Sequence, residues 1–87
     1  LPLRSRLAKQ LLHLARSYGV PCLTNGQEIR IGLHLAQEEL AQLLGASRQR
    51  VNQELKAMER EEAIRIEPGG LVIRNRDALL AISEADH

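Results

Sequence analysis

Apolar side chains recur along the first part of the chain with the period of an α-helix. Leucines follow one another at steps of three or four residues from Leu3 onward, and Tyr18 is the last member of the series. Pro2 stands where a helix start tolerates proline, and Gly19 is followed two residues later by a second proline, which ends the pattern. The spacing therefore predicts an amphipathic helix over residues 3–18.

A turn and a short strand are predicted next. Thr24-Asn25-Gly26 combines residue types that favour turns. Residues 27–31, Gln-Glu-Ile-Arg-Ile, alternate as a half-exposed strand does. Gly32 interrupts this alternation, so the strand is expected to end at residue 31.

Two helices are predicted in the middle of the chain, and the first is short. Residues 37–44 begin with polar side chains and contain leucines that are expected to face the core, namely Leu40, Leu43 and Leu44. Ala41 lies among them and is small where two helices would approach each other closely. The pattern therefore predicts a helix of about two turns over this range.

A tight turn and a longer helix follow. Gly45 interrupts the first helix and can adopt the positive φ that such a turn requires. Ser47 is a strong N-cap candidate, because its hydroxyl can accept a hydrogen bond from the first turn of the next helix. That helix is expected to run to about Glu62, with Val51 filling the gap between the two helices. A short helix, a glycine turn and a second helix form the pattern of a helix-turn-helix.

The second helix separates apolar from polar side chains. At about 100° per residue, Val51, Leu55 and Met58 fall on one apolar arc. The opposite arc holds the polar side chains, with one acid at its far end: Arg48, Gln49, Asn52, Gln53, Lys56, Arg60 and Glu59. Arginine and amide side chains form bidentate pairs with guanine and adenine edges, whereas an ordinary solvated face more often mixes glutamate and lysine. The composition of this arc favours contact with DNA bases over a plain solvated surface.

The last part of the chain predicts a β-hairpin and a short helix. Residues 64–66 and residues 71–73 read as two strands around the tip Pro68-Gly69-Gly70. Asp77 is expected to cap a final helix of a turn or two. The acidic cluster at residues 59–62 is expected to be a solvated helix end.

The composition of the chain excludes several classes of protein. The chain has 87 residues, enough for one domain over residues 1–87, and 44% of them are hydrophobic. No apolar run approaches the roughly 20 residues of a membrane span. Cys22 is the single cysteine, which excludes an internal disulfide and a Cys-based zinc finger. Tyr18 is the single Phe, Trp or Tyr, so the chain lacks a platform for stacking single-stranded bases.

Charge and reactive groups narrow the class further. The formal net charge is only +1, yet ten of the twelve basic residues are arginine, which suits bidentate contacts with phosphates and guanines. The three histidines lack the spacing of metal ligands. The sequence has no recognisable catalytic carboxylate pair, no nucleophile placed with a base and no phosphate-binding loop. An enzyme is therefore the least supported class of function.

The run over residues 38–56 strongly resembles the C-terminal DNA-binding domain of Crp/Fnr-type bacterial transcription regulators. Its most specific part is Gly45-Ala46-Ser47-Arg48, followed by apolar residues at the expected offsets. Residues 6–15 look like the first helix of that domain, and the predicted hairpin looks like its wing. The resemblance implies a mostly α fold with a small β component (α+β). This fold is a winged helix-turn-helix with a three-helix core, its helix-turn-helix at about residues 36–62 and its C-terminal β-hairpin wing at about residues 63–74.

The resemblance also implies which side chains meet DNA. The second helix would enter the major groove, and four of its side chains would contact bases: Arg48, Gln49, Asn52 and Gln53. Arg50 lies off this arc on the helical wheel and is assigned to phosphate. The further phosphate candidates are Ser47, Gln37, Lys56 and Arg65, and then Arg4 and Arg6.

The sequence departs from the common family pattern at several positions. Gln49 and Gln53 stand where the family often has Glu and Arg, so the usual half-site sequence is not expected. Ala36 stands where a Thr or Ser commonly caps the first of the two helices and touches phosphate. Glu54 occupies a position that is more often apolar in helix-turn-helix motifs.

Partners and context follow from the same resemblance. It implies a two-fold symmetric site in double-stranded DNA, a homodimer of the full-length protein, RNA polymerase as a further partner, and no cofactor in this domain. The chain begins with Leu1 and has no leader pattern, so we expect it to be part of a longer cytoplasmic protein whose upstream domain senses an effector and dimerises. The alternative is a winged-helix protein-interaction module, since fold alone does not fix function. Such modules tend to lose the basic and amide side chains that this chain keeps.

Overall fold

The computed structural model describes residues 2–21, 28–31 and 37–84, without the side chains of Tyr18, Pro21 and residues 37–39. The expectations that concern positions outside these ranges are the turn Thr24-Asn25-Gly26, the thiol of Cys22, the strand break at Gly32 and the departure at Ala36.

The described part of the chain contains four helices and four strands. Their order is α1 (Leu3–Tyr18), β1 (Gly19–Pro21), β2 (Ile29–Ile31), α2 (Gln37–Leu44), α3 (Arg48–Arg60), β3 (Ile64–Glu67), β4 (Gly70–Ile73) and α4 (Arg76–Glu84). The predicted bounds of α1 and α2 are confirmed. The three-helix core with a C-terminal hairpin confirms the predicted winged helix-turn-helix.

The strands form one antiparallel sheet in the order β1-β2-β4-β3. β3 and β4 form the predicted hairpin, in which Glu67 lies opposite Gly70. Both of these residues belong to the strands, so the tip is Pro68-Gly69 and not the three residues predicted. β2 pairs with β4, and β1 pairs with β2 at one edge of the sheet. The hydrophobic pattern does not predict β1, because three residues are too few to show an alternation.

Helices α1, α2 and α3 and one face of the sheet enclose an aliphatic core. From α1, Leu7 and Leu11 are fully buried, and α4 packs against this helix. Leu40, Val51 and Met58 bring α2 and α3 into the same core. Full burial of such a side chain stabilises a fold by about 1.5–3 kcal/mol, so the core holds both helices of the helix-turn-helix against α1.

Leu43 faces solvent, and 61% of its surface is exposed, so the prediction that it points inward is wrong. The buried members of α2 among its described side chains are Leu40, Ala41 and Leu44. The direction of the core lies between these three positions around the helix, and Leu43 falls to one side of it. The small side chain of Ala41 is buried, in agreement with its predicted place between the helices.

The end of α2 is closed by a pair of backbone hydrogen bonds. Ala46 N donates to Ala41 O at 2.9 Å, and Gly45 N donates to Gln42 O at 3.3 Å. Gly45 has a φ of 67°, so the two bonds and the left-handed residue form a Schellman motif. The predicted positive φ of Gly45 is confirmed.

Helix α3 also ends in a Schellman motif, but the residue with positive φ is not a glycine. Ala63 N donates to Met58 O and Glu62 N donates to Glu59 O, both at 3.0 Å. Glu62 takes the left-handed position, with a φ of 64°. A residue with positive φ cannot continue a right-handed helix, so α3 ends at Arg60 and not at Glu62 as predicted.

The cap of α4 differs from the prediction. The side chain of Asn75 accepts a hydrogen bond from Ala78 N at 3.0 Å, so Asn75 and not Asp77 caps this helix. Asp77 lies inside the first turn, where its negative charge interacts favourably with the positive end of the helix dipole. α4 extends to Glu84, which is longer than the turn or two expected.

Two arginines of α1 hold the ends of the next two helices. Arg6 Nη1 donates to Leu44 O at 2.8 Å and so satisfies a carbonyl at the C-terminus of α2. Arg4 donates to both carboxylate oxygens of Glu61, just beyond the end of α3. Glu61 therefore has a charged partner, which corrects the expectation of a solvated acidic cluster. Both arginines are among the predicted phosphate candidates, but each already has a hydrogen-bond partner within the domain.

Gly19→Ala is expected to destabilise the fold, because a Cβ at this position would overlap Ala15 O and Ile29 Cγ2. Forcing extra volume into a packed site costs about 1–3 kcal/mol, which lowers the Tm of a domain of this size by roughly 5–20 °C. Thermal unfolding followed by circular dichroism measures the change. Gly45→Ala is the matched control: apart from its chain neighbours, no atom of the described residues lies within 4 Å of its added Cβ, so its cost is that of the left-handed backbone, about 1–2 kcal/mol. A wild-type Tm for Gly19→Ala would contradict the close packing of α1 on β2.

Candidate functional site

Helix α3 is fixed by its cap and by its apolar arc. Ser47 Oγ accepts a hydrogen bond from Arg50 N at 3.1 Å, which confirms the predicted N-cap. Val51, Leu55 and Met58 are buried against the core, as the helical wheel predicts. The opposite arc of α3 is therefore directed to solvent, and its rotation is set by packing.

The four predicted base-contacting side chains lie together on this solvent-facing arc. Arg48, Gln49 and Gln53 are exposed, and Asn52 is half-buried. Lys56 and Arg60 continue the arc toward the C-terminal end of the helix, and both are exposed. We refer to these six residues as the polar arc of α3.

The positive charges of α3 differ from those of the rest of the domain. Within residues 2–21, 28–31 and 37–84, the cations of α3 that have no carboxylate partner are Arg48, Arg50, Lys56 and Arg60. The arginines that do pair with carboxylates lie outside α3: Arg4, Arg30, Arg65 and Arg74. A helix with four such cations and two exposed amide side chains, Gln49 and Gln53, is suited to a polyanion that also offers hydrogen-bonding edges.

The acidic residues of α3 do not neutralise its polar arc. Glu54 is half-buried and lies off the arc on the helical wheel. Glu59 lies on the same side of α3 as the polar arc, but its Oε2 accepts a hydrogen bond from Ile66 N in β3 at 2.8 Å. Glu59 is therefore engaged by the wing, and the expectation that it is a solvated residue is wrong.

The predicted phosphate candidates are spread over several elements. Three of them are exposed and belong to α3 or to its N-cap: Ser47, Arg50 and Lys56. Gln37 is the first residue of α2, and its side chain is among those that the structure does not describe. Arg65 lies on β3 and already has carboxylate partners, with Nε 3.1 Å from Glu67 and Nη2 3.6 Å from Glu28.

An ion-pair network covers the face of the sheet that is turned away from the core. Its members are Glu28, Arg30, Arg65, Glu67 and Arg74. Strand register places Arg30 and Arg65 on either side of Val72, which is fully buried although it does not belong to the main core cluster. Sequence patterning misses this network, because cross-strand neighbours are known only once the register is known.

The described residues offer little for other kinds of site. No group of three or more His, Cys, Asp or Glu side chains within these residues is placed to hold a metal ion. A half-open cavity of about 210 Å³ is lined by Leu12, Ala15, Arg16, Ile29 and Arg76, none of which belongs to α3. No described helix is both long enough and apolar enough to cross a membrane. The polar arc of α3 is thus the candidate functional site.

Comparison with known proteins shows which regulators the chain is similar to. The family model described as a Crp-like helix-turn-helix domain matches residues 5–82. The chain is 40% identical over 74 residues to the CRP-like cAMP-activated global transcriptional regulator of Mycobacterium tuberculosis, a match that covers 85% of this chain and 32% of the relative. The chain therefore spans about a third of the length of the curated relatives that it matches.

Solved structures show the same fold. The CO-dependent transcription factor CooA from Carboxydothermus hydrogenoformans is similar with a TM-score of 0.82 and 29% identity, covering 93% of this chain and 36% of that one. A CRP/FNR-family transcriptional regulator from Thermus thermophilus has a TM-score of 0.83 and 23% identity, covering 99% of this chain and 42% of that one. Both comparisons extend beyond the helix-turn-helix to nearly the whole chain.

Proposed function

The chain belongs to the Crp-like helix-turn-helix family, and we propose that its polar arc binds specific sequences in double-stranded DNA. It is a DNA-binding output domain of a transcription regulator. The observation that carries the sequence specificity is the combination of exposed cations and amide side chains on one arc of α3. A merely electrostatic surface would need the cations but not the amides.

The proposed base contacts come from the first two turns of α3. Arg48 is suited to the O6 and N7 atoms of guanine, and Gln49 and Gln53 are suited to adenine edges. Asn52 lies between them on the same arc and has the same amide chemistry on a shorter side chain. Since Gln49 and Gln53 replace the usual family residues, we expect a half-site that differs from the common one.

The proposed phosphate contacts flank these residues. Arg50 is the first candidate, because it is exposed beside the polar arc and has no carboxylate partner among the described residues. The Ser47 oxygen accepts from Arg50 N, so its hydroxyl hydrogen remains available to a phosphate. Lys56 and Gln37 are further candidates. Arg65 ranks last, because a phosphate there would compete with Glu67 and Glu28.

The wider context of the domain is also a proposal. We propose a cytoplasmic, homodimeric full-length protein that binds a two-fold symmetric site and contacts RNA polymerase, with an upstream effector-sensing and dimerisation domain. The regulators that the chain resembles are called cAMP-activated in one case and CO-dependent in another, so the output domain does not identify an effector. We propose that this domain, over residues 1–87, has neither a cofactor nor a catalytic role.

The test is selection of bound sites from a pool of random duplexes, using the full-length protein. We expect enrichment of a two-fold symmetric sequence and a steep fall of affinity with salt, because phosphate contacts release counterions. A protein that enriches no sequence and binds every duplex equally would contradict sequence-specific binding. The competing function, a protein-interaction module, would then account for the fold.

Arg50→Ala is expected to weaken binding to the selected duplex and to a random duplex by similar factors. The reason is that a phosphate contact is independent of sequence, and its loss should reduce the slope of log K against log salt by roughly one unit. Titrations of both duplexes at several salt concentrations measure the effect. Arg16→Ala, which removes an exposed cation from α1, is the control for net charge. If Arg50→Ala altered the preferred sequence, Arg50 would have to be counted among the base contacts.

A further inference from the structure

Glu59 is an acid at a place where a DNA-binding surface is expected to be positive. It lies near the polar arc of α3, toward the same end as Lys56 and Arg60. A carboxylate beside the phosphates of a duplex opposes binding through like-charge repulsion. Its presence there calls for a compensating role, and its hydrogen bond to the wing supplies one.

The side chain of Glu59 accepts a hydrogen bond from the backbone N–H of Ile66, which does not pair with β4. β3 is an edge strand of the sheet. The two-residue tip places Glu67 opposite Gly70 and Ile66 opposite Leu71. In an antiparallel hairpin the hydrogen-bonded and non-hydrogen-bonded pairs alternate, so the N–H of Ile66 points away from β4. It donates to Glu59 Oε2 at 2.8 Å.

Glu59 accepts two hydrogen bonds from the segment that follows α3, one of them from the wing. Its main-chain carbonyl accepts from Glu62 N at 3.0 Å, in the turn that ends α3. Its side chain accepts from Ile66 N, four residues farther along the chain. The stretch between α3 and β3 is therefore held by the backbone and by the side chain of one residue.

We propose that Glu59 is a positioning residue, which fixes the wing against α3 so that both elements reach the same duplex. This inference rests on the proposed function, because it concerns how the DNA-binding surface is assembled. In this role Glu59 contacts no base and no phosphate. The benefit of a correctly placed wing outweighs the repulsion that its carboxylate causes.

Two conservative variants separate positioning from charge. Glu59→Gln removes the negative charge but keeps an oxygen at the same reach, so the bond to Ile66 N persists. Glu59→Asp keeps the charge but shortens the side chain by one methylene, so the bond is lost. If Glu59 acted only as a charge near DNA, Glu59→Gln would bind more tightly and Glu59→Asp would bind as the wild type does.

The measurement is the Kd of the full-length protein for the duplex selected from the random pool, at several salt concentrations. For Glu59→Asp we expect binding to be about fivefold weaker, with a salt slope reduced by about one unit, because a displaced wing would lose its one proposed phosphate contact, Arg65. For Glu59→Gln we expect binding equal to the wild type or up to about threefold tighter, because a negative charge is removed. Glu54→Asp and Glu54→Gln are the matched controls, since Glu54 lies on the same helix and no described residue bonds to its side chain.

Amide hydrogen exchange at Ile66 provides a second readout. The Ile66 amide should exchange faster in Glu59→Asp than in the wild type, and it should stay protected in Glu59→Gln. Equal Kd values and equal Ile66 exchange for Glu59→Asp and the wild type would overturn the inference. If the wild type itself selected no sequence, the proposed function would fail, whereas the exchange rates would still decide whether Glu59 holds the wing.

Discussion

Val51→Asp is expected to unfold the domain or to leave it only marginally folded. Val51 is fully buried on the inner face of α3, and the core cluster to which it belongs consists of hydrophobic side chains. An uncompensated carboxylate in such a place costs about 3–5 kcal/mol, whereas a chain of this length has a total stability of about 4–13 kcal/mol. Thermal and urea unfolding followed by circular dichroism at 222 nm measure the loss.

Two variants serve as controls for this result. Val51→Ala removes volume without adding charge and is expected to cost less, about 2 kcal/mol. Gln53→Asp adds the same carboxylate on the exposed polar arc and is expected to change stability by no more than about 0.5 kcal/mol. A Tm of Val51→Asp equal to that of Gln53→Asp would mean that α3 does not pack as described.

Arg48→Ala is expected to weaken binding to the selected duplex by about 1–3 kcal/mol, or roughly five- to 150-fold, and to affect a random duplex much less. Arg48 is the first residue of α3 and is exposed, so its guanidinium can reach a guanine from the helix N-terminus. A base-by-base competition series at fixed salt measures both affinities. The loss should be concentrated at one base pair of each half-site.

The contrast between the two duplexes decides the role of Arg48. Arg16→Ala removes one positive charge from α1 and should weaken both duplexes slightly and equally. If Arg48→Ala gave equal losses on the selected and random duplexes, Arg48 would be a phosphate contact. The assignment of the first turn of α3 to base recognition would then be wrong.

Most of the fold is predictable from local pattern. α1 and α2 are long enough for the helical period to fix their bounds, and the tip at Pro68-Gly69 fixes the hairpin. The errors fall where local pattern is ambiguous. Leu43 fits a helical stripe almost as well as its buried neighbours do, and Asn75 and Asp77 are both good caps, so only tertiary packing and backbone geometry choose between them.

At the candidate site, the exposed residues of α3 are predictable from the sequence, but the contacts between α3 and other elements are not. The exposed polar arc follows from the helical wheel, because the buried Val51 and Leu55 fix the rotation of α3. Three pairings are not predictable, because each joins parts of the chain that are distant in sequence, and a local pattern does not show how these parts are placed. They are Glu59 with β3, Glu61 with Arg4, and Arg65 with Glu28. The roles of the polar arc toward bases and phosphates remain predictions.

The bond between Glu59 and β3 also bears on how this protein avoids self-association. An edge strand with free N–H groups can pair with a strand of another chain and start aggregation. At one edge of this sheet Glu59 already occupies the outward N–H of Ile66. At the other edge, β1 is only three residues long and ends in Pro21, which has no N–H to offer. Both edges are thereby poor templates for a further strand, and a variant that frees Ile66 would expose one of them to intermolecular β-pairing.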